Sequence, residues 1–242
     1  MEFIPTTTWF FREPSALMTG IKLLKENPTI TELAVVGCST GEQPYSIQAL
    51  IQSALKRSNI TIDSFDKNWM VLETAKKATY TLDHQVLRNI YSKMLIKNLL
   101  SPQSIDRYTP FTLPDRIRTV VDFKLHDISH EPLDKQYPLI YCSNMLYYSL
   151  SPHNSPQHPK LESILWNLSQ SLTENGYLIT DQASAQESYP ARDWIKKYQD
   201  YLKINPYFRE VPELCIPKHQ FTYYPKKVLF LAELAGVFVK KL

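Results

Sequence analysis

The spacing of apolar residues changes along the chain, and each change marks an element. Pro14 can open a helix, and Leu17, Ile21 and Leu24 share one face of a helix over 15–26. Residues 31–36, apolar from Leu33 to Val36 and ending at Gly37, read as a buried strand. Helical spacing returns over 43–56 with Ile47, Leu50, Ile51, Ala54 and Leu55. Ile60, Ile62 and Phe65 predict a second strand with Asp66 at its end, followed by a helix carrying Leu72 and Ala75. A further helix is expected over 84–99 through Val86, Leu87, Ile90, Tyr91, Met94 and Leu95. Pro102, Pro110 and Pro114 make 101–115 a loop or a small subdomain. Ile117, Val121, Phe123 and Leu125 fall on one side of an alternating run, predicting one or two strands over 117–125. Residues 139–142 read as a short strand and 151–159 as a Pro/Ser/His loop. Leu161, Ile164, Leu165, Leu168 and Leu172 line a helix expected to end at Gly176, before a strand over 177–180. Helix is expected over 192–204, and a hairpin from the runs 220–224 and 227–232 around Pro225. Strands alternating with helices give an α/β fold with a mostly parallel sheet.

The turn at 37–46, GCSTGEQPYS, separates the first strand from its helix. Ser39 with Glu42 and Thr40 with Gln43 both fit a capping box. Pro44 lacks an N–H and is harmless only in the first positions of a helix, so the helix is expected to start near Glu42 with 39–41 as loop. A glycine turn after the first strand lets a ligand approach the backbone, and an acid ending the second strand can bind ribose hydroxyls. Gly37 and Asp66 occupy those places. The alternative is a turn glycine and a carboxylate capping the next helix. The turn is neither G-x-G-x-x-G nor a phosphate loop with its lysine. It suits an adenosyl ligand that brings no phosphates better than a nucleoside triphosphate.

Composition narrows the setting. A chain of 242 residues with 43% hydrophobic content can bury a real core as one domain spanning 1–242. Net charge is +3, which makes no case for a nucleic-acid partner, although ten Lys/Arg against five Asp/Glu from residue 192 onward leave the C-terminal part basic. That excess is a solvated face or a dock for an acidic partner. Three scattered cysteines show no metal or disulfide spacing and favour a reducing, cytoplasmic setting. Cys38 and Cys142 lie in strand–loop blocks and read as buried thiols. No signal peptide or membrane-spanning run is expected: the apolar stretch 228–239 is short and interrupted by Glu233. His126 and His130 are four apart but follow a strand, so no metal site is expected.

Four ordered blocks then become specific. TWFFREP at 8–14, GCSTGEQPYS at 37–46, Asp66 with Leu72, Ala75 and Tyr80, and LIYCSNMLYY at 139–148 resemble the T-x-F-F-R-E, G-C-S-T-G-E-E-P-Y-S, D-I-D-x-x-x-L-x-x-A and L-I-F-C-R-N-V-x-I-Y blocks of the bacterial chemotaxis (CheR-like) protein methyltransferases. These enzymes methylate receptor glutamates with S-adenosylmethionine. The resemblance covers roughly 4–182 and fades afterwards. It implies a Rossmann-like class I methyltransferase fold, with room for a small inserted subdomain at about 85–120 and a diverged C-terminal extension at 185–242. The chain starts a few residues before the first block, so the family's N-terminal helical domain is not expected in it. The resemblance places Arg12 and Tyr148 at the methyl-transfer site. It implies cofactor contacts at Thr6, Thr8, Arg12, Gly37, Gln43, Asp66, Asp127, Ile128, Ser143 and Asn144. Thr6 and Asp127 stand where Asn is usual or common, Gln43 where a second Glu is usual, and Ser143 where Arg is usual.

The expected function is S-adenosylmethionine-dependent O-methylation of a protein or peptide carboxylate. An ionised glutamate needs no general base, only positioning and removal of water. Arg12 can hold a carboxylate oxygen, or make a surface ion pair with Glu13; Tyr148 can donate a hydrogen bond, or simply pack as one tyrosine among 15. The changes at Thr6, Gln43 and Ser143 keep two other readings open, a non-catalytic interaction module and a methyltransferase acting on a small molecule.

Overall fold

In the computed structural model, residues 8–12, 14–81, 109–142, 145–146, 158–180, 206–210 and 236–240 are described. The expected strands at 31–36 and 60–66 are β1 (Glu32–Val36) and β2 (Thr61–Asp66). Each is reached through a helix: α1 (Pro14–Glu26) precedes β1, and α2 (Glu42–Leu50) links β1 to β2 and runs on as a π-helical turn over Ile51–Leu55. α3 (Trp69–Lys77) follows β2. A two-residue pair, β3 (Thr79–Tyr80) with β4 (Phe111–Thr112), sits beside it, then a short α4 (Asp115–Arg118). The remaining elements are β5 (Val121–Leu125), β6 (Tyr137–Tyr141), α5 (His158–Gln170), β7 (Leu172–Thr180), β8 (Phe208–Glu210) and β9 (Gly236–Lys240).

The strands form one sheet in the order β5-β2-β1-β6-β7-β9-β8. The first five run parallel; β9 is antiparallel to β7 and to β8. Strand β1 lies at the centre of the five parallel strands, and Leu33, Ala34, Val35 and Val36 are all buried. Covered on both faces, it needs the unbroken apolar run seen in the sequence. Its neighbour alternates: Ile62 packs in the cluster with α1 and α2, and Phe65 in the cluster with α5. The strand order reverses at β1, where β2 and β6 lie on opposite sides of it, so a crevice opens at the carboxyl ends of β1, β2 and β6.

Two local expectations are corrected. Ile117 is helical rather than extended, because Pro114 and Asp115 open the short turn Asp115–Arg118; only Val121–Leu125 is strand. Gly176 does not end α5. The helix stops at Gln170, and β7 starts at Leu172 with an irregular register against β6 before regular pairing resumes at Tyr177. Leu172 is buried as a strand residue, which mimicked the helical spacing. The sheet is completed antiparallel by residues 236–240 and 208–210. The helices expected over 84–99 and 192–204, the hairpin at 220–232 and most of the loop at 151–159 lie outside the described residues.

Candidate active site

The turn after β1 is tied to the end of β2. Gly37 and Cys38 both donate their backbone N–H to the Phe65 carbonyl, at 2.8 and 3.1 Å. Gly37 has φ 75°, and a Cβ there would lie 3.0 Å from Cβ of Met145. Gly41, φ 93°, is the N-cap of α2, and a Cβ there would meet Cβ of Ala75 at 2.9 Å and the Tyr80 hydroxyl at 3.0 Å. The helix starts at Glu42, as Pro44 requires, but without a capping box: Gly41 supplies no side chain, and Thr40 Oγ1 instead donates to Glu42 Oε2 at 2.6 Å.

Asp66 does not itself cap the next helix. Its Oδ2 accepts from the Ser39 backbone N–H at 2.8 Å, and its Oδ1 accepts from Asn68 N–H at 2.9 Å. Asn68 in turn N-caps α3 by accepting from Met70 N–H at 3.0 Å. Burial pushes the Asp66 carboxyl above its ordinary value, and the Asn68, Ser39 and Lys67 amides with the Lys67 charge only partly offset this. Ser39 is held at φ 50°, and its Oγ is buried with no hydrogen-bond partner among the described residues. A fixed acceptor at the strand end, an orphaned hydroxyl in the turn and a glycine with no room for a side chain fit an adenosyl group lying against the turn.

The first sequence block reaches the same place. Phe11, at φ 56°, donates its N–H to Ser46 Oγ at 2.8 Å, and that hydroxyl donates to the Glu42 carbonyl at 2.6 Å. Residues 8–12 are thereby fastened to the first turns of α2, where Gln43 is buried. Phe10 meets Tyr80 edge-on, with centroids 4.9 Å apart, and the Tyr80 hydroxyl donates to the Thr40 carbonyl at 2.7 Å. Arg12 lays its guanidinium over the Trp9 ring, 4.2 Å from the centroid.

Asp127 follows β5, whose end is joined to β2 by the bond from His126 N–H to the Asp66 carbonyl at 3.0 Å. Burial works to raise the Asp127 carboxyl, but the Ser129 hydroxyl and amide, at 2.7 and 3.0 Å from Oδ1, hold it below the usual carboxylate range. Ile128 is buried in the α5-side cluster, and its carbonyl accepts from Asn167 Nδ2 at 2.7 Å. His126 Nε2 lies 3.1 Å from the Glu131 carbonyl, and His130 Nε2 3.7 Å from Asp127 Oδ2. Cys38 and Cys142 are both buried free thiols. Arg12, Gly37, Gln43 and Asp66 thus gather around the β1–α2 crossing, with Thr8 half-buried at the start of the Arg12 loop and Asp127 on the loop beyond the adjoining strand. Thr6, Ser143, Asn144 and Tyr148 lie outside the described residues. Ser39, Trp9, Tyr80 and Met145 complete the surroundings; all four stand inside the quoted sequence blocks, but their types alone carried no signal for a site.

The model of the CheR methyltransferase SAM-binding domain matches residues 6–198. The chain belongs to the CheR methyltransferase family. Among curated relatives, it is 26% identical over 170 residues to the probable biofilm formation methyltransferase WspC of Pseudomonas aeruginosa, covering 65% of this chain and 38% of that protein. It is also 26% identical over 157 residues to a chemotaxis protein methyltransferase of Borreliella burgdorferi, covering 58% of this chain and 53% of that one. The chain therefore spans well under two thirds of the length of either relative. Among solved structures, the N-methyltransferase NodS of Bradyrhizobium japonicum in complex with S-adenosylhomocysteine shares the fold, with a TM-score of 0.52 at 12% identity over 96% of this chain and 88% of NodS. The CheR SAM-binding domain thus has a Rossmann-like class I methyltransferase fold here. Among the described residues no helix is long and apolar enough to cross a membrane.

Proposed function

We propose that this CheR-family chain transfers the methyl group of S-adenosylmethionine to a carboxylate oxygen of a protein glutamate. The observation that carries the reading is the fastening of the Arg12 loop to the helix that begins at the glycine turn, through Phe11 N–H and Ser46 Oγ. It brings a guanidinium, the natural partner of a carboxylate, to the half of the fold that holds the Asp66 acceptor.

S-adenosylmethionine supplies an electrophilic methyl on a sulfonium, and sulfur takes the electron pair when the methyl leaves. Asp66 would hold the ribose hydroxyls, its carboxylate aimed by the Ser39 and Asn68 amides. Gly37 and the Ser39 hydroxyl would line the same ligand, and Gln43, Thr8 and Asp127 would contribute polar contacts around it. An acceptor glutamate with an ordinary pKa of about 4.3 is already ionised at neutral pH, so no base is needed and no proton moves. Arg12 would orient the acceptor carboxylate for in-line attack, and Tyr148 would donate a hydrogen bond at the reacting centre.

The test is transfer of radiolabelled methyl to glutamate-rich receptor-type peptides, with alkaline release of label as methanol diagnosing the ester. Arg12→Ala is expected to lower turnover about 100-fold, the scale of a lost orienting group, with the fold intact by circular dichroism. Label stable to alkali, or transfer only to small acids, would replace the protein-glutamate assignment.

A further inference from the structure

The loop between β5 and β6 is held from the far side of the sheet by one corner of the chain. Helix α5 packs on the face opposite α2, and its last turn runs into β7 through Ser171. Asn167, in that turn, is buried, and its Nδ2 donates to the Ile128 carbonyl at 2.7 Å. Ser171 Oγ accepts from the Leu133 N–H at 2.8 Å and donates to the Asn167 carbonyl at 2.7 Å. The loop is thus fastened at two points, and they fix different ends of it. Leu133 lies toward β6. Ile128 directly follows Asp127, at the end where His126 N–H reaches the Asp66 carbonyl at 3.0 Å. The Lys67 charge favours the ionised form of both Asp66 and Asp127. Ser129 holds Asp127 Oδ1 through its amide and hydroxyl, so the carboxylate moves with the loop rather than independently of it.

The Ile128 side chain is buried beside α5, and its carbonyl needs a partner there. A carboxylate at position 167 would set acceptor against acceptor, and an apolar side chain would leave the carbonyl unpaired. In either case the carbonyl gains by turning toward water, and the Asp127 carboxylate turns with it.

We infer that Asn167 is a positioning residue for the methyl donor: through the Ile128 carbonyl it fixes the β5–β6 loop and sets the Asp127 carboxylate at the carboxyl ends of β2 and β5. This rests on the assignment of Asp127 to the cofactor contacts. Asn167 acts on the ligand from the opposite face of the sheet, through the loop alone.

The experiment is calorimetric titration of the full chain with S-adenosylhomocysteine, alongside urea unfolding of each variant. Asn167→Leu is expected to weaken the ligand about tenfold, the scale of a displaced polar contact. Ser171→Ala removes the bond at the other end of the same loop; it should lower the urea midpoint but keep affinity within about twofold of wild type. In an Asp127→Ala background, Asn167→Leu should have no further effect on affinity, because coupled residues are non-additive. Should the leucine variant not fold, Asn167→Ser, whose side chain is too short to reach Ile128, is held to the same outcomes. Equal losses of affinity in the Asn167 and Ser171 variants, or the same Asn167 loss with and without Asp127, would mean that Asn167 only supports the fold and would overturn the inference. Asp127→Ala weakening the ligand while Asn167→Leu leaves it unchanged would remove the inference and spare the assignment of Asp127. Asp127→Ala leaving affinity unchanged would remove both.

Discussion

At the scale of single residues, Asp66 shows how position and protonation are joined. Burial raises its carboxyl, and the Asn68, Ser39 and Lys67 amides favour the ionised form without fully compensating. The carboxylate is the better acceptor, and a ribose hydroxyl would need that form beside the Ser39 and Asn68 amides. Affinity for S-adenosylhomocysteine should therefore fall as pH drops through this raised value. Asp66→Asn should bind about tenfold more weakly at pH 7, the loss of roughly one charge-assisted hydrogen bond, and should flatten that pH dependence. Titration from pH 4 to 8 checks both. Asp63 behaves oppositely. Burial raises it, but the Tyr137 hydroxyl at 2.6 Å and Lys124 and Lys135 at 3.1 and 3.3 Å together hold it below the ordinary range. A depressed folded value contributes stability present above the unfolded value near 3.9 and lost as pH falls through the folded one. Tyr137→Phe should cost about 1–2 kcal/mol in urea unfolding at pH 7, a difference that shrinks in acid as Asp63 protonates.

At the scale of elements, the site depends on how helices meet strand ends. Gly41 allows α2 to start against α3 because a side chain there would run into Ala75 and Tyr80. Its positive φ adds strain to any replacement, so Gly41→Ala should destabilise by about 2–3 kcal/mol, read as a lowered urea midpoint. The same packing explains why the capping pattern in the sequence did not form. With Gly41 at the N-cap, Thr40 is one position too early, and its hydroxyl turns to Glu42. On the other side of α2, Gln48 is buried with both amide atoms unpartnered among the described residues. Gln48→Met keeps the volume and removes the polar group, and is expected to raise stability by about 1 kcal/mol. A lower urea midpoint in that variant would show that the amide is satisfied by bound water.

At the scale of the whole molecule, the fold is a switch-point sheet completed by an antiparallel edge. Ligand taken up at the carboxyl ends of β1 and β2 bridges elements from three parts of the sequence, so binding should stabilise the domain as a unit. S-adenosylhomocysteine at 100 times its dissociation constant adds about 2.7 kcal/mol. For a domain of this size that is roughly a 5–10 °C rise in Tm, and it should fall away in an Asp66→Ala variant that folds, which removes the acceptor at the end of β2. Alternation of strand and helix made the parallel half of the sheet legible beforehand, because β1 and β2 carry their burial in their own spacing. The antiparallel edge was not legible: β9 pairs with β7 across the 55 residues between Thr180 and Gly236, and no local pattern records that partner.

The sequence by itself determined the strand–turn–helix at 32–50, the acid at the end of β2, the four ordered blocks and the family they point to. These depend on local periodicity, on glycine and proline geometry, and on residue types in fixed spacing. Tertiary structure decided the rest. It set the Ser39 and Asn68 amides on Asp66, folded the Arg12 side chain onto Trp9, and tied that loop to Ser46, a residue 35 positions away from Phe11. It also joined Glu32, Asp63, Lys124, Lys135 and Tyr137 into one charged network across four strands and a loop. Such contacts form because packing the apolar faces brings distant backbone segments together, and hydrogen-bonding groups carried along with them must then find partners where they land.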